Sequence, residues 1–112
     1  MQELPVINRT QELYEAVIKI TGKLPALQQQ TIGKRLEDAI LGLLELEIMS
    51  KHAPKSHKGA YLVKASARAE IIQFQLRILL NQKLANETTL HQLQAKVAEI
   101  ARMLGGWRKS VQ

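Results

Sequence analysis

Residues 61–84 place apolar side chains along two opposite sides of a single helix. The first stripe has the spacing of a helical face and consists of Leu62, Ala65, Ala69, Ile72, Leu76 and Leu79. The second stripe lies about 190° around the same helix and consists of Ala67, Ile71, Phe74 and Ile78. A helix in a lone small bundle normally buries one apolar face. One stripe therefore fills the core, and we expect Ile71, Phe74 and Ile78 on the other to form a homo-oligomer interface.

The charge of the chain is concentrated in its second half. The chain has 112 residues, 46% of them hydrophobic, which fits one domain at residues 1–112 with a modest core. Residues 1–50 carry five Lys/Arg and seven Asp/Glu, a net charge of −2. Residues 51–112 carry eleven Lys/Arg and three Asp/Glu, a net charge of +8. This asymmetry indicates either an anionic partner, with nucleic acid first, or a basic surface that serves solubility alone.

No segment has the pattern of a targeting or membrane-spanning sequence. The N-terminal residues have neither a basic start nor an apolar core. The longest apolar run, residues 39–44, is far too short to cross a bilayer. The chain has no cysteine, which excludes disulfides and suits a reducing compartment. We expect a soluble cytoplasmic protein with no membrane partner.

Apolar periodicity predicts four helices, at about residues 8–22, 30–52, 60–84 and 89–106. The first helix is expected to start at Asn8 or Thr10 and to end at Gly22 and Pro25. A loop at residues 52–59 precedes the third helix. A capping box of Thr89 and Gln92 starts the fourth helix, and Gly105 with Gly106 ends it. No stretch shows the alternation of a strand. Four amphipathic helices with short connections predict an all-α, antiparallel up-down four-helix bundle.

Glu47 lies inside the apolar arc of the second helix. An unpaired buried carboxylate is very costly, so this side chain must find a partner or reach the rim of the core. One interpretation is a contact to an Arg or Lys of a partner. The other, which usual behaviour favours, is an ion pair within the chain or a position at the rim.

The residues give little basis for catalysis. Without cysteine there is no thiolate nucleophile, and no Gly-x-Ser-x-Gly motif is present. Gly33 and Lys34 imitate part of a phosphate-binding loop, but Gln28 stands where its first glycine is required. His52, His57 and His91 lack the spacing of a helical metal site and are expected to be exposed. We expect no enzyme activity, no metal, no cofactor and no small-molecule substrate.

A row of cations follows the second loop onto the third helix. Its members are Lys51, Lys55, Lys58, Lys64 and Arg68, and Arg108 with Lys109 add charge at the far end of the chain. Such a row can follow a phosphate backbone with little sequence preference. Only four aromatic residues are present, so a base-stacking platform is not expected. Any nucleic-acid binding should be electrostatic.

Two further side chains allow two interpretations each. Arg77 can reach a carboxylate across an interface or pair within its own helix. Trp107 continues the apolar stripe of the last helix, which favours a place at the end of the core over a partner contact.

Two segments of the sequence resemble the accessory variability determinant protein of diversity-generating retroelements. They are residues 31–48 (TIGKRLEDAILGLLELEI) and residues 99–110 (EIARMLGGWRKS). The motif LGGW at residues 104–107 is the most specific match, QLRILL at residues 75–80 also fits, and Ala101 stands where the family pattern has glycine. The resemblance extends from about Leu24 onward. The resembled family belongs to a wider set of four-helix bundle proteins, which includes proteins encoded in intervening sequences of bacterial large-subunit ribosomal RNA genes.

The resemblance implies a non-enzymatic accessory subunit that forms a ring of five bundles. Such a ring binds nucleic acid through a basic surface and associates with a reverse transcriptase, and the complex copies a template RNA into adenine-mutagenised cDNA for retrohoming. The candidate contacts to nucleic acid or polymerase are Lys55, Lys58, Lys64, Arg68, Arg77, Arg102, Arg108 and Lys109. The alternative is a structural or interaction bundle of the intervening-sequence type, which has no polymerase partner.

Overall fold

A computed structural model describes residues 4–112 and contains four long helices. They are α1 (Pro5–Thr21), α2 (Lys34–His52), α3 (Lys55–Asn81) and α4 (Glu87–Ser110). A single α-helical turn (Ala26–Gln28) and a π-helical segment (Gln29–Gly33) lead into α2. α2 and α4 each pack against both α1 and α3, and the body measures 44 × 23 × 22 Å. The predicted all-α, antiparallel four-helix bundle is confirmed, and no strand occurs within residues 4–112.

The first apolar stripe of α3 fills the core, as its spacing predicts. Leu62, Ile72, Leu76 and Leu79 are fully buried. They face buried residues from the other three helices, among them Leu13, Val17, Leu36, Ile40, Leu43, Leu90, Val97, Ile100 and Leu104. Trp107 is half-buried and packs against the end of this cluster, which confirms its interpretation as a core residue.

The loop predicted at residues 52–59 is wrong, because only Ala53 and Pro54 separate α2 from α3. Pro54 occupies the N-cap position, where a proline with φ −57° and ψ 150° directs the chain into the helix without losing a hydrogen bond. Gly59 lies inside α3, where a Cβ would meet nothing within 4 Å. The residues that look like helix breakers in the sequence therefore shape the start of α3.

The predicted ends of α1 and α4 also need correction. α1 begins at Pro5, ahead of Asn8, and Thr10 is buried within it. Asn86 caps α4, its side chain accepting from Thr89 N at 2.9 Å. The predicted stop at Gly105 and Gly106 is wrong, because α4 continues to Ser110. The continuation places Trp107 one turn beyond Leu104, against the core.

The connection between α1 and α2 is held by side-chain hydrogen bonds. Gln29 Nε2 donates to Gly22 O at 2.9 Å and to Leu24 O at 2.8 Å, which satisfies carbonyls at the end of α1. Gly33 is buried at the end of the π-helical segment. A Cβ there would stand 3.2 Å from Leu24 Cδ1 and 3.3 Å from Gln28 O. Glycine therefore permits the close approach of this segment to the end of α1.

Glu47 is fully buried, which excludes a rim position, and no residue from 4 to 112 forms an ion pair with it. Thr10 Oγ1 hydrogen-bonds to Val6 O at 2.9 Å and to Glu47 Oε2 at 2.8 Å. Glu47 Oε1 is buried without a partner among the described residues. Burial raises the pKa of Glu47 to about 8, and the hydrogen bond to Thr10 opposes this in part. Glu47 is thus a neutral carboxylic acid at neutral pH, which corrects both sequence-based interpretations.

Candidate nucleic-acid interface on the α2–α3 hairpin

The second apolar stripe of α3 faces outward and is uncovered in the single chain. We use the name outer ridge for this stripe (Ala67, Ile71, Phe74 and Ile78) together with Val63, which is exposed beside it. Ile71, Phe74 and Ile78 are 47%, 52% and 46% exposed. The sequence-based prediction that the fold buries only one of the two stripes is confirmed. What covers the outer ridge stays a prediction.

Lys64 and Arg68 run along the α2 side of the outer ridge. Both are exposed, and they line a groove of about 340 Å³ between α2 and α3, which we call the basic groove. Its other lining residues are Gly42, Glu45 and Leu46 of α2 and Ala67 and Ile71 of the outer ridge. A Cβ built on Gly42 would stand 3.6 Å from Arg68 Nε, so the guanidinium lies against the backbone of α2. The structure thus fixes Arg68 at the wall of the basic groove, one helical turn from Lys64.

Of the other three lysines in the predicted row, Lys51 is half-buried in the last turn of α2, whereas Lys55 and Lys58 differ from each other. Lys55 is the first residue of α3 and is exposed. Lys58 is half-buried, and its Nζ donates to Ser50 O at 2.7 Å and to Lys51 O at 2.9 Å. Those carbonyls belong to the last turn of α2, where a cation is favoured. Lys58 therefore caps α2, which makes it a poor candidate for phosphate contact.

The remaining predicted cations lie apart from the basic groove. Arg77 is on the far side of the outer ridge, with its guanidinium carbon 5.2 Å from the centre of the Phe74 ring. Arg102 is exposed on α4. Lys109 is exposed in the last turn of α4, and beside it Arg108 is half-buried with its Nε unpaired among the described residues. Of the predicted cations, Lys64 and Arg68 lie together along the basic groove.

The structure also contains a groove with aromatic side chains that was not predicted from the sequence. It lies beside the connection between α2 and α3, has a volume of about 400 Å³, and is lined by Met49, His52, Ala53, Pro54, His57 and Tyr61. We call it the terminal groove. His52 and His57 were expected to be exposed, and they are. The only signal in the sequence was their proximity to Tyr61, which has meaning once α3 is known to begin at Lys55.

The terminal groove and the basic groove meet at Lys64. Its side chain lines the basic groove, and its Nζ lies 5.9 Å from the centre of the Tyr61 ring in the terminal groove. Of the residues that line these two grooves, Glu45 alone is acidic. The α2–α3 hairpin thus offers one continuous surface with aromatic side chains at one end and cations beyond them.

The described residues contain neither a metal-binding cluster nor a membrane-spanning helix. Within residues 4–112, no group of three or more His, Asp or Glu side chains is placed to hold a metal ion. No helix in the described part of the chain is long and apolar enough to cross a membrane.

These features define a small helical bundle organised around one two-sided helix. A family model described as bAvd-like matches residues 5–111, nearly the whole chain. The chain belongs to the bAvd-like family, in agreement with its resemblance to the accessory variability determinant proteins. A comparison with curated proteins finds no match.

Proposed function

We propose that this chain is a non-enzymatic accessory subunit of a diversity-generating retroelement. It forms a homo-oligomeric ring that binds the reverse transcriptase and the template RNA or cDNA, and so supports mutagenic reverse transcription and retrohoming. The observation that carries the proposal is the outward side of α3, where an uncovered apolar ridge runs beside exposed cations. Membership of the bAvd-like family supports the same function.

The outer ridge supports self-association. Fully burying a side chain such as isoleucine or phenylalanine stabilises a protein by about 1.5–3 kcal/mol. Ile71, Phe74 and Ile78 each leave about half of their surface in water. Every copy of the chain presents the same ridge, so another copy supplies an apolar surface of matching length. A ring of five such copies is the arrangement that the family resemblance implies.

The basic groove supports binding of nucleic acid. Lys64 and Arg68 are exposed, and no hydrogen bond or ion pair within the described residues engages them. Their cations are therefore available to replace counterions at a phosphate backbone. Repetition around a ring would multiply these contacts, since binding at a second site becomes intramolecular.

The experiment replaces Lys64 and Arg68 by glutamine. The chain is co-expressed with the reverse transcriptase of the same genomic neighbourhood and its template RNA, and the mass and contents of the purified complex are measured. We expect Lys64→Gln with Arg68→Gln to lose RNA while α-helical content is unchanged. The salt dependence of single-stranded RNA affinity should flatten by about 1.4 in slope, or about 0.7 per lost phosphate contact.

The matched control is Lys19→Gln with Lys23→Gln, which removes the same charge from exposed positions near the end of α1. If this control weakens RNA binding as much as the groove variant does, net charge alone is responsible and the basic groove has no special role. If the parent chain fails to co-purify with the polymerase, the alternative of an interaction bundle with no polymerase partner replaces the proposal.

A further inference from the structure

We propose that the terminal groove binds an unpaired nucleobase, so that the chain selects single-stranded nucleic acid over a duplex. This inference rests on the proposed function, because it concerns the same surface and the same class of ligand. It adds a stacking site to what is otherwise an electrostatic interface. The sequence-based expectation that no base-stacking platform exists is replaced by this proposal.

The shape of the terminal groove is set by the shortness of the α2–α3 connection. Met49 and His52 come from the last turn of α2, and His57 and Tyr61 come from the first two turns of α3. With only Ala53 and Pro54 between the helices, these four side chains share one groove. Its volume of about 400 Å³ falls within the range of about 300–1,000 Å³ that is usual for small-ligand sites.

The lining of the groove suits a planar aromatic ligand. Nucleobases stack on tyrosine and histidine rings with little dependence on base identity. Tyr61 is half-buried, which restricts its movement, whereas His52 and His57 are exposed and accessible. Met49 adds a polarisable side chain that is 39% exposed. No carboxylate lines the terminal groove to repel a phosphate.

The adjoining cations fix where the backbone of the strand would lie. A base in the terminal groove places its neighbouring phosphates toward Lys64, which adjoins the Tyr61 ring, and then toward Arg68. Glu45 lines the basic groove and disfavours a phosphate beside it, so the strand should follow the α3 wall.

This arrangement discriminates against a duplex. In a duplex each base is stacked between its neighbours and paired, so it must be flipped out before it can enter a groove, which costs free energy. An unpaired base enters without that cost. The groove lined by Ala16, Lys19, Ile20, Lys23, Leu84, Ala85, Asn86 and Thr89 provides a contrast, since it has two lysines but no aromatic side chain.

The test uses two fluorescent RNA probes of equal length, a single strand and a duplex, at one salt concentration. The single strand also carries 2-aminopurine, whose emission is quenched by stacking. We expect the parent chain to bind the single strand at least about fivefold more tightly, and the base to be quenched. Tyr61→Leu should lose about fivefold or more of the single-strand affinity and the quenching, with an unchanged salt slope. Tyr61→Phe should retain both.

Exposed His57 supplies a second variant, His57→Ala, in case Tyr61→Leu lowers the α-helical content. Equal affinity for the two probes, or full quenching in both Tyr61→Leu and His57→Ala, overturns the stacking site. If Lys64→Gln with Arg68→Gln still weakens binding in that case, the proposed function stands without the stacking site. A parent chain that binds neither probe removes the nucleic-acid part of the proposed function as well.

Discussion

The inward and outward faces of the α2–α3 hairpin are built from similar apolar residues, yet they have opposite environments. On α3, Ile72 is fully buried and its neighbour Ile71 is 47% exposed. The stripe that faces the core contains Ala65 and Ala69, whose small side chains allow neighbouring helices to approach closely. The outward stripe contains Phe74 instead. Both stripes nevertheless contain alanine and isoleucine, so apolar character alone does not distinguish them; the packing of α3 against α2 and α4 decides which face is buried.

Truncating one isoleucine on each face should give the largest contrast. Ile72→Ala creates a cavity in the core, and we expect the free energy of unfolding to fall by about 2–5 kcal/mol. Ile71→Ala removes atoms that are half in water, and in the dissociated chain the loss should be below about 1 kcal/mol. Urea unfolding at low protein concentration measures both values.

The same two variants separate stability from assembly. By light scattering at micromolar concentration we expect the parent chain to form an oligomer and Ile71→Ala to reduce its mass. A parent chain that is a monomer under these conditions shows that the outer ridge is not a self-association surface. If Ile72→Ala and Ile71→Ala lower the free energy of unfolding of the dissociated chain by similar amounts, the two faces do not differ in the way proposed.

Two glutamates on α2 show the same difference between a buried and an exposed side chain, since Glu47 is buried and Glu45 is exposed. Glu47 is buried with a pKa of about 8, above its ordinary value of 4.5. Its contribution to stability is complete below about pH 4.5 and is lost as the pH rises to about 8, because over this range the folded chain holds a proton that the unfolded chain has released. The expected slope is at most about 1.4 kcal/mol per pH unit.

Glu47→Gln removes this titration, so its stability relative to the parent should increase as the pH rises from 5 to 8. Chemical unfolding at several pH values measures the difference. Glu45→Gln, at an exposed position two residues earlier, should retain the slope of the parent. A parent and a Glu47→Gln variant with parallel pH profiles would show that Glu47 is ionised in the folded chain.

Two lysines at the start of α3 give the smallest expected effect. Lys58 is used by the fold, because its Nζ donates to the last carbonyls of α2. We expect Lys58→Gln to lower the melting temperature, with a loss of about 0.5–1.5 kcal/mol. Lys55→Gln, one helical turn away and exposed, should leave stability unchanged and weaken RNA binding. The reverse assignment of these two effects would place the phosphate contact at Lys58.

The parts of the fold that follow from helical periodicity could be predicted from the sequence. The two stripes of α3 are visible because residues at 3-4 spacing share a face. The end signals were less informative. Pro54 indicates a break whether it precedes a two-residue connection or a long loop, and Gly106 is compatible with a stop or with continuation. Trp107 decides the second case, since burying its ring outweighs the cost of two glycines in the helix.

The candidate site was only partly predictable for a similar reason. Lys64 and Arg68 share a face by spacing alone, so the sequence places them together. Lys58 has the same charge and a similar position, but its engagement with Ser50 depends on where α2 ends. The grouping of His52 with Tyr61 depends on the same boundary. A neutral Glu47 required knowledge of what surrounds it from α1, which a pattern within α2 does not contain.

The π-helical segment at Gln29–Gly33 has a consequence for insertions and deletions. A π-helical turn contains one residue more than the α-helical turns around it, so it shifts the register of everything that follows. Here it lets Gln29 turn back to the end of α1 while Leu36 points into the core. Removing or adding one residue in this segment would rotate Leu36 by about 100°. The length of this connection is therefore held to one value by the packing on either side of it.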